Sequence, residues 1–163
     1  MIRYLTVNPN REQGFSLMEI LVTVIVLSIG LLGLAGLQMT GMRDNHSAYL
    51  RTQAIILAND IIDRMRANQD IAKAGNYDIA IGAAASTPVA GCTGTATDNC
   101  SASDMATLDI SEWKNRLDEL LPSGDGSVAR TISGSETMVT VTIQWDDTRG
   151  IGAATQFPVE TVL

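Results

Sequence analysis

The longest apolar stretch of the chain lies near its N-terminus, from residue 20 to residue 37, where only Thr23 and Ser28 are mildly polar. At about 1.5 Å per residue a helix over this stretch is roughly 27 Å long, close to the ~30 Å hydrocarbon thickness of a bilayer. A helix that is apolar on every side needs lipid or an equally apolar bundle of helices around it. The pattern therefore predicts a membrane-spanning or bundle-forming helix, and its only charge, Glu19, stands just before the apolar run.

After residue 38 the apolar positions thin out but keep a helical period. Five of them follow one another at spacings of three or four residues: Leu50, Ala54, Leu57, Ile61 and Met65. This spacing predicts one buried helix face. Asp60 and Arg64, four residues apart, are expected to form an ion pair on the polar side. We predict one long helix from Phe15 to about Asn68, whose second half rests on the domain that follows.

A second, shorter helix is predicted between Asp104 and Leu121, since its apolar residues, Trp113 among them, share one face. Asp109 and Ser111 are the plausible N-terminal caps. An ion pair between Glu112 and Arg116 is expected on the exposed side. Trp113 is expected to be packed in the core, and the helix is expected to end at Pro122.

The last third of the chain alternates between apolar and polar residues with a period of two. Residues 128–132 and 138–145 read as two strands joined by a turn at residues 134–136, and residues 155–162 read as a third. A short strand is also possible near residues 77–81. Pro158 favours an edge position for the third strand. The predicted fold is α+β, with a long N-terminal helix packed on a small antiparallel sheet of about three to four strands, plus a second short helix.

Composition and charge exclude several classes of function. The chain has 11 Lys and Arg against 18 Asp and Glu, a net charge of −7, which argues against nucleic acid as a partner. The single histidine, His46, has no nucleophile motif beside it, so we predict no catalytic residue, no cofactor and no enzyme activity. Three aspartates, Asp125, Asp146 and Asp147, could conceivably bind calcium, but their spacing favours solvated turns, and no metal site is predicted.

The two cysteines, Cys92 and Cys100, lie in a loop of about thirty residues that is rich in Gly, Ala, Ser and Thr. Outside the cytoplasm such a pair favours a disulfide over a metal site, because no third or fourth ligand is in view. Closing about nine residues removes roughly 2.5 kcal/mol of chain entropy from the unfolded state. We therefore predict a disulfide that cross-links this loop.

The residues GFSLME, from Gly14 to Glu19, come immediately before the apolar run. This order resembles the signal of type IV prepilins and pseudopilins. The resemblance implies that prepilin peptidase cuts after Gly14 and methylates the new N-terminal residue, Phe15, and that Glu19 neutralises the amino group of a neighbouring subunit during assembly. The simpler alternatives are an uncleaved signal anchor and a Glu19 solvated by lipid headgroups.

Four further stretches resemble minor pilins of the PilV type, the type IV pilus modification proteins: residues 28–38, 58–68, 110–128 and 141–147. This resemblance implies a structural protein that primes pilus assembly within a minor-pilin tip complex. It also implies a role in twitching motility, which depends on the pilus. The implied partners are prepilin peptidase, other minor pilins, the major pilin, a tip adhesin and the inner-membrane assembly platform. The alternative is a pseudopilin of a type II secretion system; a membrane-anchored enzyme is disfavoured. The cysteine positions depart from the pattern of the family. The two cysteines of this chain lie in the middle loop, whereas major pilins commonly close a C-terminal loop with a disulfide.

The expected domain organisation follows from the same resemblance. Residues 1–14 form a leader that is removed, residues 15–42 the transmembrane or filament-core half of the helix, and residues 43–163 an extracytoplasmic headgroup. Arg3 and Arg11 favour a cytoplasmic N-terminus. The expected location is the bacterial inner membrane, as a single-pass protein, and then the extracellular pilus.

Glycines recur every three residues inside the apolar run, at Gly30, Gly33 and Gly36. Such spacing gives one helix face where a neighbouring backbone can approach closely. Each glycine also lowers helix stability by roughly 1 kcal/mol relative to alanine. Close packing is the favoured role, and local melting of the helix on assembly stays open.

Overall fold

The chain forms three α-helices, one turn of 3-10 helix and three β-strands in a computed structural model that describes residues 14–93, 100–148 and 150–163. In chain order these are α1 (Leu17–Ala67), α2 (Gln69–Ala74), the 3-10 turn (Ala90–Cys92), α3 (Ala102–Leu120), β1 (Asp125–Ser133), β2 (Glu136–Trp145) and β3 (Thr155–Val162). The chain divides into two compact units between Asp44 and Asn45. The predicted leader lies outside the described residues, apart from Gly14.

In the first unit, hydroxyl side chains form hydrogen bonds with the backbone of α1. The Ser16 hydroxyl accepts a hydrogen bond from the Met18 N–H at 3.3 Å at the start of the helix. The Thr23 hydroxyl donates to the Ile20 carbonyl at 2.8 Å, and the Ser28 hydroxyl donates to the Val24 carbonyl at 2.7 Å. These hydroxyls therefore need no partner outside the helix, which suits an apolar environment.

In the second unit α1 is amphipathic, as predicted. Its buried residues are Leu50, Ala54, Leu57, Ala58, Ile61, Ile62 and Met65. All five positions of the predicted stripe are among them, so that prediction is confirmed. The predicted pair of Asp60 and Arg64 is also present, with 3.3 Å between the carboxylate oxygen and the guanidinium Nε. The helix ends one residue before Asn68, and α2 follows it directly.

Helix α3 begins earlier than predicted and has a different cap. The Ser101 hydroxyl accepts a hydrogen bond from the Asp104 N–H, and the Asp104 carboxylate accepts one from the Ser101 N–H, which together form a capping box. The prediction of caps at Asp109 and Ser111 is therefore wrong, since both lie well inside the helix. Apolar periodicity marks only the packed part of a helix and says little about a polar first turn. Trp113 is fully buried, as predicted.

The three strands form one antiparallel sheet in the order β1-β2-β3, which confirms the edge position of β3. Ser133 pairs with Glu136, so β1 and β2 are joined by a two-residue loop. Its first residue, Gly134, has a φ of +63°, which a glycine adopts readily in such hairpins. Of the possible strand at residues 77–81, only Ile79 pairs with the sheet, as a bridge to Val128.

One face of the sheet closes the core of the second unit. Val139, Val141, Ile143 and Trp145 on β2 are buried, and the residues between them are partly exposed. They belong to one cluster with the buried face of α1 and with Trp113 and Leu117 of α3. The observed architecture is therefore the expected α+β, type IV pilin-like fold, with three strands.

Candidate functional site

The N-terminal segment from Gly14 to Glu19 is fully open to its surroundings. Phe15 is 80% exposed, and a Cβ added at Gly14 meets no atom within 4 Å. The fold itself therefore places no steric demand for a glycine at position 14. The Glu19 N–H donates to the Ser16 carbonyl at 3.0 Å, so Glu19 stands in the first turn of α1. The two residues that would flank a cleavage point thus precede the helix and are accessible.

Glu19 is the acidic residue of the first turn of α1. A carboxylate is favourable at this end of a helix because the unpaired backbone N–H groups carry partial positive charge. The residues that follow it, from Ile20 onward, are apolar and exposed. In an apolar surrounding, an ionised carboxylate costs a few kcal/mol unless a positive group pairs with it. The position therefore suits a carboxylate that meets a cation in an apolar bundle.

The apolar half of α1 is unburied along its whole length. By length and composition the helix can cross a membrane, although a signal sequence would pass the same test. Between Ile20 and Leu37 its large side chains are exposed in the single chain, from 46% for Val22 to 74% for Leu37. A continuous apolar surface of this size is rare on a soluble monomer and marks contact with lipid or another protein.

The three glycines of the apolar run are also open in the single chain. A Cβ built at Gly30, Gly33 or Gly36 meets no atom within 4 Å. The described residues therefore leave these three positions uncovered. Both roles suggested by the sequence, close packing and local melting, stay predictions.

The second unit contains a cluster of charges around Arg64. The Arg64 Nη1 donates to Asp109 Oδ1 at 2.9 Å and to Glu112 Oε2 at 2.7 Å. The Tyr77 hydroxyl donates to the other oxygen of Asp109 at 2.6 Å. Burial alone would lower the pKa of Arg64, but the hydrogen bonds to Glu112 and Asp109 and the charge of Asp60 raise it. The cluster joins α1, α3 and the loop after α2, which is a structural role.

The sequence predicted only the Asp60–Arg64 pair of this cluster. Glu112 was expected to pair with Arg116, but that prediction is wrong: Glu112 contacts Arg64, and Arg116 donates to Asp60 at 2.9 Å. One signal was present in the sequence: Asp109 lies four residues before Trp113, on the buried face of α3. A carboxylate on an apolar stripe needs a partner, because an unpaired buried charge is costly.

The three aspartates considered for calcium are engaged by protein groups. Lys114 forms an ion pair with Asp125 and also donates to the Gly126 carbonyl at 2.9 Å. The Ser47 hydroxyl donates to Asp147 at 2.6 Å, and Asp146 accepts from the Thr148 N–H at 2.8 Å. In the described parts of the chain, no three His, Cys, Asp or Glu side chains are grouped to hold a metal ion.

Cys92 and Cys100 form a disulfide with an S–S distance of 1.96 Å and a Cα–Cα distance of 4.9 Å. Residues 94–99 of the enclosed loop lie outside the described residues. Cys100 immediately precedes Ser101, the cap of α3, and Cys92 ends the 3-10 turn. The disulfide therefore ties the loop to the start of α3.

Comparison with known protein families gives two adjoining matches. Residues 9–35 match the prokaryotic N-terminal methylation motif. Residues 36–111 match the family described as type IV pilin Tt1218. Neither the curated proteins nor the solved structures include a significant match to the chain. The methylation motif thus leads directly into a region, residues 36–111, that is similar to a type IV pilin.

Proposed function

We propose that this protein is a minor pilin of a type IV pilus, of the PilV type, that helps to prime pilus assembly within a tip complex. Prepilin peptidase cuts it after Gly14 and methylates Phe15. It stays in the bacterial inner membrane, with its N-terminus in the cytoplasm, until it enters the extracellular pilus. Its partners are other minor pilins, the major pilin, a tip adhesin and the assembly platform. Its role is structural, in keeping with the matched family.

The observation that carries this proposal is the first half of α1. It is apolar and exposed from Ile20 onward, and it begins with one carboxylate, Glu19, in its first turn. Cleavage after Gly14 would place a positive amino group on Phe15. The amine of one subunit can then pair with the Glu19 of a neighbour, which removes the cost of an unpaired charge in an apolar bundle. A lipid anchor alone would need no carboxylate at this position.

The domain organisation proposed with this function has three parts. Residues 1–14 are the leader, residues 15–42 form the membrane-spanning and later filament-core helix, and residues 43–163 form the extracytoplasmic headgroup. Gly30, Gly33 and Gly36 provide the face on which neighbouring helices pack closely. The disulfide between Cys92 and Cys100 lies in the headgroup, in an oxidising compartment.

The central experiment replaces Glu19 with leucine in the full chain, expressed in its own bacterium. Membrane insertion should be unchanged, because leucine favours lipid more than glutamate does. Recovery of the protein in sheared pili should be lost. Asp44→Asn is the matched control, since Asp44 is also an exposed acid of α1 but lies beyond the apolar run. Normal incorporation of Glu19→Leu would contradict the pairing of Glu19 with a neighbour's amine.

Two further measurements test the rest of the proposal. The mass of the mature N-terminus should correspond to a chain that starts at methylated Phe15, and an uncut chain in the membrane would point to a signal anchor. In a deletion strain, pilus number and twitching motility should fall while protein secretion stays normal. A secretion defect with normal piliation would favour the alternative, a pseudopilin of a type II secretion system.

A further inference from the structure

The outer edge of β3 is blocked by a proline. The Leu163 N–H donates to the Thr137 carbonyl of β2 at 2.9 Å. Because backbone N–H groups alternate in direction along a strand, odd-numbered residues of β3 point theirs at β2 and even-numbered residues point theirs outward. Pro158, which pairs with Thr142, is therefore at an outward position and has no N–H to donate. A proline at such a position prevents another strand from pairing along this edge.

The outer edge of β1 is occupied only at one point. The Val128 N–H donates to the Ile79 carbonyl at 2.9 Å, and the Ile79 N–H donates to the Val128 carbonyl at 3.0 Å. By the same alternation, the next outward-pointing residues of β1 are Arg130 and Ile132. The chain before Ile79 forms a turn instead of continuing the pairing, since the Asp78 N–H bonds to the Gly75 carbonyl.

Beyond that bridge, no strand among the described residues pairs with this edge. Within the described residues, the outward N–H groups of Arg130 and Ile132 donate no hydrogen bond. The Ile132 side chain is 64% exposed, and Ser133 beside it is exposed as well. This stretch contains no proline, and its one charged side chain, Arg130, is held by the Lys73 carbonyl and Asp78. The sheet thus has one blocked edge and one unblocked edge.

We propose that the edge of β1 from Arg130 to Ser133 binds an extended segment of a neighbouring pilin subunit as an added strand. The backbone of that segment pairs with the outward groups of Arg130 and Ile132. An apolar side chain of the segment covers Ile132, as side chains on adjacent strands do.

The short length of the edge favours a neighbouring subunit as the occupant. Two outward residues offer at most about four backbone hydrogen bonds, against about ten in a typical stable interface. So small a contact is effective only when the partner is already held close by, where its effective concentration reaches about the millimolar range. If the chain assembles as proposed above, the exposed apolar half of α1 holds neighbouring subunits close to one another. This inference therefore rests on the proposed function. A second copy cannot use its own β3 edge, since Pro158 blocks it.

The test places a photo-crosslinking amino acid at Ser133 in the full chain, expressed in its own bacterium. The matched control places it at Glu160, an exposed residue on the blocked edge. We expect adducts at position 133 with another subunit that carries the N-terminal methylation motif, about tenfold more than at position 160. Ile132→Pro removes the outward N–H as Pro158 does on the other edge, and should reduce the adduct at Ser133 about tenfold. Ile132→Val keeps the N–H and should preserve the adduct at Ser133.

Two outcomes would overturn the inference: equal adducts at both edges, and an adduct at Ser133 that survives Ile132→Pro. Ile132 is exposed and its N–H is outside the β1–β2 ladder, so Ile132→Pro should fold, and its thermal midpoint shows whether it does. If it does not, Ile132→Lys serves instead and should also weaken the adduct. Cleavage after Gly14 and recovery in pili are measured in the same cells. An uncut chain contradicts the proposed function, whereas a cut, incorporated chain without the adduct contradicts only the edge inference.

Discussion

Tyr77 and Asp109 form a buried hydrogen bond in which the tyrosine hydroxyl donates to the carboxylate at 2.6 Å. Tyr77 is only 1% exposed. The other carboxylate oxygen of Asp109 accepts from Arg64 at 2.9 Å. Asp109 therefore joins α3 to α1 and to the loop after α2, three segments that are distant in sequence.

Tyr77→Phe should reduce the free energy of unfolding by about 1–3 kcal/mol, because it leaves a buried carboxylate oxygen of Asp109 without its donor. Urea unfolding of the full chain in detergent measures this loss. Asp63→Asn is the control, since Asp63 is exposed and pairs with Arg66 at the surface. Such a pair contributes about 0–1 kcal/mol. Equal losses for the two variants would contradict the structural role of the Tyr77–Asp109 bond.

Tyr77 also makes stability sensitive to high pH. Burial, and then the hydrogen bond to Asp109, raise the pKa of Tyr77 well above its ordinary value. The folded protein therefore holds this proton more tightly than the unfolded chain does. Its stabilising effect is complete below pH of about 10, the ordinary pKa of tyrosine, and is lost as the pH rises above that value. Between about pH 8 and 11, the midpoint of thermal unfolding should decline less in Tyr77→Phe than in the wild type.

Asp125 has the opposite effect at low pH. Burial alone would raise its pKa, but the hydrogen bonds from Lys114 and from the N–H groups of Gly82 and Gly126 outweigh burial and lower the pKa. The folded state then stabilises the charged form, so the stabilisation is present above pH of about 4 and is lost as the pH falls through the lowered pKa. Asp125→Asn should lower stability at neutral pH and flatten its dependence on pH below about 4. An unchanged acid profile would contradict this.

Gly126 lies against Trp113 in the core. A Cβ added at Gly126 would come within 2.5 Å of Trp113 Cη2 and 2.9 Å of Leu117 Cδ1. Gly126→Ala should therefore destabilise the protein by about 1–3 kcal/mol through overpacking. Trp113→Phe loses the hydrogen bond from its Nε1 to the Leu57 carbonyl but makes room near Gly126. The double variant should lose less stability than the two single variants together, as measured by denaturant unfolding. Additive losses would mean that Trp113 is not what crowds Gly126.

The disulfide between Cys92 and Cys100 can be tested chemically. Alkylation of the denatured protein without reductant should add no label, and alkylation after reduction should label both thiols. Replacing both cysteines with alanine should lower stability by roughly 2.5 kcal/mol on the chain-entropy account. Two labelled thiols before reduction would show that the bond does not form in the cell.

Local pattern was enough to predict α1, α3 and the three strands of this fold. The apolar run before Gln38, the helical spacing from Leu50 to Met65 and the alternation along β2 each repeat with the period of one kind of secondary structure. Backbone geometry imposes that period on neighbouring residues, so it can be read without knowing the rest of the molecule. The N-terminal motif from Gly14 to Glu19 was equally visible, because it is a short contiguous sequence.

Only the tertiary structure decided what Asp109 and Glu112 contact and which sheet edge is unblocked. Asp109 looked like a helix cap, and its contacts with Tyr77 and Arg64 depend on three segments meeting in space. The outward direction of Pro158 and Ile132 likewise depends on the register between strands. The sequence by itself determined α1, α3 and the three strands, since these follow from local periodicity, and it also contained the N-terminal motif. Charge pairing and strand register depend on contacts between distant residues, and no local period encodes them.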